Sequence, residues 1–150
     1  MSRKSTLPDP APGLVIRYSY LWHREFRAGI EEGTKDRPCT IVTALRMSED
    51  GAIRIVVLPV THSSPADPAS AIEIPFLTKV RLGLDSERSW VVLSEWNEFI
   101  WPGPDLRRVP GSGNDTVAYG FLPPKLFVEI RERFLALVQS RRARRVERGE

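Results

Sequence analysis

Arg37-Pro38-Cys39-Thr40-Ile41-Val42-Thr43-Ala44-Leu45-Arg46, then Ser48-Glu49-Asp50-Gly51, then Ile53-Arg54-Ile55-Val56-Val57-Leu58-Pro59-Val60 is the stretch that decides the fold. Cys39–Arg46 and Ile53–Val60 are rich in β-branched residues and read as two strands. The Asp-Gly pair between them supplies positive φ at low cost, so the strands form a hairpin. Pro38 suits the first position of a strand, where no ladder donor is needed. The nearly unbroken apolar run Ile53–Val60 predicts a strand covered on both faces.

Outward from this hairpin, Ile16, Tyr18, Tyr20 and Trp22 recur with period two after Gly13, as along one face of a first strand. His23–Asp36 carries many charges and two glycines, and is expected to be a long exposed loop. Beyond the hairpin, Thr61–Pro65 is a polar loop and Ala71–Pro75 a short strand. Leu82–Asp85 is a turn or helical kink, Ser89–Trp96 a further strand, and Gly111–Asp115 a loop. Pro123-Pro124 opens a helix on which Leu126, Ile130, Phe134, Leu137 and Val138 form one apolar stripe. The expectation is a mainly β domain, a small barrel closed by a C-terminal amphipathic helix. It spans residues 13–140, between a loose leader (1–12) and a basic tail (141–150).

The composition limits the function. At 150 residues and 41% hydrophobic content, the chain holds one core. Its net charge is only +3, but Arg141, Arg142, Arg144, Arg145 and Arg148 crowd one end. No apolar run is long enough to cross a bilayer and no secretory signal is read at the start, so a cytoplasmic location without membrane contact is expected. The single cysteine, Cys39, excludes an internal disulfide and reads as a small buried hydrophobe. With two histidines and one cysteine, none at ligand spacing, no metal and no cofactor are expected. Phosphate-loop and serine-hydrolase motifs are absent from the sequence.

Two short segments carry the candidate chemistry. In an antiparallel hairpin the start of one strand lies beside the end of its partner, so Arg37 and Thr61 fall at one rim. A guanidinium grips a phosphate through two parallel hydrogen bonds and stabilises charge growing on it. The Thr61 hydroxyl can donate to the same group, and His62 can move a proton near neutral pH. Such a set suits RNA cleavage, where the ribose supplies its own 2′-hydroxyl nucleophile. Spacing alone equally allows a surface arginine paired with Asp36 or Glu32, a strand-ending threonine and an ordinary loop histidine.

In order and spacing, four segments resemble the PemK/MazF toxin family: Gly13-Leu14-Val15-Ile16, Arg37-Pro38-Cys39-Thr40-Ile41-Val42, Val57-Leu58-Pro59-Val60-Thr61, and Leu82-Gly83-Leu84 followed by Ser89-Trp90-Val91-Val92. The resemblance implies an SH3-like barrel, usually a homodimer, that cuts single-stranded RNA without a metal and is inhibited by a cognate antitoxin. It makes Arg37 and Thr61 catalytic, with His62 or Glu95 handling a proton. Where the family carries an Asp-Gln-x-Arg-like segment, this chain has Ser94-Glu95-Trp96-Asn97, and Glu95 takes the acidic position. His23, Arg24, Lys35, Ser63, Trp96 and Asn97 are the candidate RNA contacts, with Trp96 a stacking platform for unpaired bases. The alternative is a catalytically silent barrel that binds RNA or protein.

Overall fold

A computed structural model describes residues 7–29, 35–47, 50–111 and 115–148. Among the described residues, eight strands and three α-helices follow one another: β1 (Leu14–Tyr18), α1 (His23–Arg27), β2 (Arg37–Arg46), β3 (Ile53–Thr61), β4 (Ala71–Glu73), α2 (Phe76–Leu82), β5 (Trp90–Val92), β6 (Glu95–Ile100), β7 (Ala118–Phe121), α3 (Pro124–Gln139) and β8 (Arg144–Glu147). The strands form one sheet in the order β4-β5-β3-β2-β1-β7, with β6 on β3 and β8 on β6. All pairings are antiparallel except β6 with β8.

The β2–β3 hairpin is the centre of the sheet. β3 pairs with β2 along one edge, while its other edge is shared. Arg54–Val57 pair with β6, and Val60 and Thr61 pair with β5. Both faces of β3 are covered, as its apolar run predicts. Leu58 and Val60 join a core with α3, and Ile55 and Val57 join a second core with β1. Gly51 adopts φ +75°, the conformation for which Asp-Gly was read as a turn; Ser48 and Glu49 lie outside the described residues.

The alternation in the first strand holds. Ile16, Tyr18, Tyr20 and Trp22 all lie in the second core, although the hydrogen-bonded strand ends at Tyr18. On α3, Ile130, Phe134 and Leu137 are buried, and Leu126 and Val138 pack against them half-buried.

Three expectations are corrected, and one helix is added. His23–Asp36 is not loop throughout, because His23–Arg27 forms a helical turn whose Glu25 reaches back to the Trp22 backbone N–H at 3.0 Å. The rest of that stretch lies partly outside the described residues. Ser89–Trp96 is two strands, broken at Leu93 and Ser94, where the buried Leu93 bonds Ser70 and the chain passes from one part of β3 to another. The added helix is Phe76–Leu82, where no element is expected; it ends at Gly83 in the left-handed conformation, within the turn expected at Leu82–Asp85. The arginine-rich end is not a free tail. Arg144–Glu147 form β8, Val146 is fully buried, and Arg148 is buried too.

Candidate functional site

The ends of β2 and β3 meet at a cavity of about 810 Å³. The β2–β3 ladder pairs Cys39 with Pro59, so two residues further Arg37 stands across from Thr61. The Arg37 guanidinium donates to the Val60 carbonyl at 3.3 Å and lies over the Trp22 ring, 4.9 Å from its centroid. Arg24 lies over the same ring at 5.2 Å. Two guanidiniums on one indole gain cation–π attraction but repel each other. Burial lowers the Arg37 pKa, an effect opposed by Cys39 and Glu25 nearby; the group stays cationic in any case. Among the described residues no carboxylate comes within 4.0 Å of Arg17, Arg24, Lys35 or Arg37, and all four line the cavity. The acids that share the cavity are already engaged: Asp36 pairs with Arg107 at 3.5 Å, and Asp85 is held by Lys79 and His62. The wall is therefore positive, partly desolvated, and open to an anion.

Thr61, His62 and Ser63 line the same cavity from the end of β3. The Ser63 backbone N–H donates to Thr61 Oγ1 at 3.1 Å, which leaves the hydroxyl hydrogen as a donor for another group. His62 Nε2 lies 2.7 Å from Asp85 Oδ2, and its Nδ1 is 3.9 Å from Glu87, beyond hydrogen-bond distance. Partial burial pushes the Asp85 carboxyl up, but hydrogen bonds from Lys79 and His62 outweigh it and the net pKa is lowered. Asp85 is thus an anion facing an imidazole, the arrangement that orients a histidine.

Of the sequence candidates, Arg24, Lys35, Arg37, Thr61, His62 and Ser63 share this cavity. His23, Glu95, Trp96 and Asn97 do not line it. The Glu95 carboxylate accepts from the His23 backbone N–H at 2.8 Å and from the Tyr20 hydroxyl at 3.1 Å, and burial raises its pKa against those bonds. Asn97 is fully buried and bonds both the N–H and the carbonyl of Leu21, at 2.9 and 2.8 Å. Trp96 packs edge-on against Phe134 of α3 and donates its indole N–H to Glu98. The expected RNA-contact role of Asn97 is corrected accordingly, since it is a fully buried clamp; Trp96 is a half-buried neighbour of the core, outside the cavity. Cys39 is buried and free, and burial pushes its thiol up, as for an inert core residue.

The cavity also holds residues that were not candidates. Arg17 donates to the Tyr119 hydroxyl at 3.2 Å, and both line the wall. Alternation contained the signal, since Arg17 is out of phase with Ile16 and Tyr18 and so faces away from their core. Asp85 was read only as part of a turn.

No protein-family model matches this chain, and no curated protein matches it.

Proposed function

We propose that this chain is a metal-independent endoribonuclease of the PemK/MazF kind, an SH3-like barrel that cuts single-stranded RNA. Its partners in this reading are a second copy of the chain, as a homodimer, and a cognate antitoxin in the cytoplasm. The observation that carries the proposal is the shared cavity of Arg37 and Thr61, with His62 fixed by Asp85 on the same rim. In the proposed reaction the scissile phosphate sits against the Arg37 guanidinium and the Thr61 hydroxyl, which stabilise charge on its non-bridging oxygens. The neighbouring 2′-oxygen attacks phosphorus and its proton passes to His62. The bond from phosphorus to the 5′-oxygen breaks, and that oxygen takes a proton from water. The products are a 2′,3′-cyclic phosphate and a 5′-hydroxyl. The unpaired cations along the wall support a polyanionic substrate, because a phosphate relieves their mutual repulsion.

The purified chain, incubated with single-stranded RNA in excess chelator, should leave 2′,3′-cyclic phosphate ends. Arg37→Ala should lose on the order of 100-fold or more of the rate, the scale of one oxyanion donor. An Arg37→Ala variant as fast as wild type would remove the proposal.

A second reading, an RNA-binding module without cleavage, is favoured by the position of Glu95. With its carboxylate outside the cavity, His62 is the one candidate acid–base group left on the rim. Binding of RNA with intact ends after long incubation would select this reading.

A further inference from the structure

Helix α2 buries two polar residues beside its one buried apolar residue, Leu82. Lys79 is 2% exposed and Thr78 is buried, while Phe76, Leu77 and Val80 of the same helix are 61%, 73% and 59% exposed. Hydrophobic burial alone would choose the opposite rotation. A buried ammonium is tolerated only with its protons satisfied, and here all three have acceptors. Lys79 Nζ donates to Asp85 Oδ1 at 2.7 Å, to Ser89 Oγ at 2.7 Å and to the Glu87 carbonyl. Gly83 closes the helix at φ +72°, and the Leu84 N–H returns to the Lys79 carbonyl at 2.9 Å. This tight return brings Asp85 back over the lysine. The Glu87 backbone N–H adds a bond to the same carboxylate oxygen at 3.1 Å. With Oδ1 fixed by two donors, Oδ2 is aimed at His62 Nε2, 2.7 Å away.

We propose that Lys79 and Asp85 are positioning residues for His62: a buried ammonium holds an exposed carboxylate, which sets the tautomer and orientation of the imidazole at the cavity. The inference rests on the nuclease reading for the use of His62, and on geometry for the relay. A carboxylate accepts at Nε2, so the neutral ring carries its proton there and Nδ1 keeps the lone pair. Nδ1 has only the mostly exposed Glu87 carboxylate near it, at 3.9 Å, and stays available to take a proton from substrate. The charged groups around the ring are Asp85, Glu87 and, behind Asp85, Lys79. The burial of Lys79 fits this role. A lysine needed only to anchor a loop has an apolar substitute of equal volume that costs no desolvation, whereas a lysine that aims a carboxylate does not.

The test is nitrogen NMR of the histidine rings in the full-length chain, together with steady-state cleavage of single-stranded RNA. The chain has two histidines, so His23→Gln assigns the His62 signals. Wild type should show the Nε2–H tautomer. Lys79→Met and Asp85→Ala should each give a tautomer mixture, and should lower kcat by roughly tenfold or more with KM within about twofold, as expected for a misaligned acid–base group. Lys79→Arg should restore part of the tautomer bias and of kcat. A wild-type tautomer in Asp85→Ala would overturn the inference. Asp85 is exposed, so that variant keeps the test decisive if Lys79→Met does not fold. Absence of cleavage in wild type would overturn the nuclease reading alone, and the ring signals would still decide the relay.

Discussion

Arg148 and Arg37 carry the same guanidinium in opposite settings. Arg148 is buried; it donates to the Ser19 carbonyl at 2.7 Å and to Asn97 Oδ1 at 3.0 Å, pairs with Asp105 at 3.0 Å, and lies over the Tyr18 ring. Arg37 is half-buried, makes one hydrogen bond to a backbone carbonyl, and has no carboxylate within 4.0 Å among the described residues. The first charge is consumed inside the molecule, where it ties the end of β8 to the chain around β1 and to β6. The second is held in place by Trp22 and Val60 but left unneutralised at a cavity. Clustering of arginines in the sequence points to the C-terminal end, yet Arg148 there is neutralised inside the molecule while Arg37 is not. A cation without a carboxylate partner marks a candidate binding surface where it also lines a cavity, as Arg37 does.

The sharpest way to break this comparison is Arg148→Met. Removing one partner of a buried pair strands the Asp105 carboxylate, so a loss of about 3–5 kcal/mol in urea unfolding is expected. The double variant Arg148→Met with Asp105→Leu should recover much of that loss, because no charge is then left buried alone. A small effect of the single variant would mean that this arginine is as dispensable as a surface one. Arg37→Ala is the counterpart. It should leave stability within about 1 kcal/mol of wild type, the worth of its contact with Trp22, while removing the RNA cleavage proposed above. Equal destabilisation by both substitutions would erase the distinction between structural and functional arginine.

How far the sequence revealed this arrangement depends on the range of the interaction. Period-two alternation and the Asp-Gly turn are local, and they placed Ile16, Tyr18, Tyr20 and the β2–β3 hairpin correctly. The rim pairing of Arg37 with Thr61 follows from the same hairpin geometry, so half of the candidate cavity was legible. β8 was not, because Arg144–Glu147 has one buried apolar residue and its stability comes from pairing with β6, some fifty residues earlier in the chain. Helix α2 carries no apolar stripe that would mark it, since Thr78 and Lys79 are buried beside Leu82 while Phe76, Leu77 and Val80 are exposed. Asp85 became visible only when the turn after α2 brought it to His62. Asn97 looked like a nucleotide contact because a polar residue in a strand has no marked direction until the burial of its neighbours is known.

Weaker effects sharpen the cavity side of the comparison. Arg24→Ala and Arg17→Ala should each lower RNA affinity at low salt. Each should also reduce the slope of log K against log salt by about 0.7, the value for one phosphate contact on a single strand. Arg133→Ala on α3, which pairs with Glu129 and bonds the Pro68 carbonyl, should leave the slope unchanged. Fluorescence anisotropy with a labelled single-stranded oligonucleotide at several salt concentrations measures both. Equal slopes for all three variants would show that charge anywhere on the surface serves, and that the cavity has no special claim on the RNA.

The smallest expected effect belongs to Glu95→Gln, and it tests the boundary of the site. Burial raises the Glu95 pKa in the folded chain, against the hydrogen bonds from His23 and Tyr20 that lower it. A carboxyl with a raised folded pKa favours the protonated fold. The stability it contributes is fully present below the unfolded value, about 4.3, and is lost as pH rises through the higher folded value. Glutamine keeps an oxygen to accept from the His23 N–H and the Tyr20 hydroxyl, and it carries no charge at any pH. The variant should therefore match wild type near pH 3 and be more stable at pH 7. The gain should stay below about 1 kcal/mol, because partial exposure screens the charge. Cleavage by the variant should remain within twofold of wild type, since Glu95 lies outside the cavity that holds Arg37 and Thr61. A variant that keeps its stability and loses cleavage would return Glu95 to the chemistry, and would require the RNA to cross the rim toward His23.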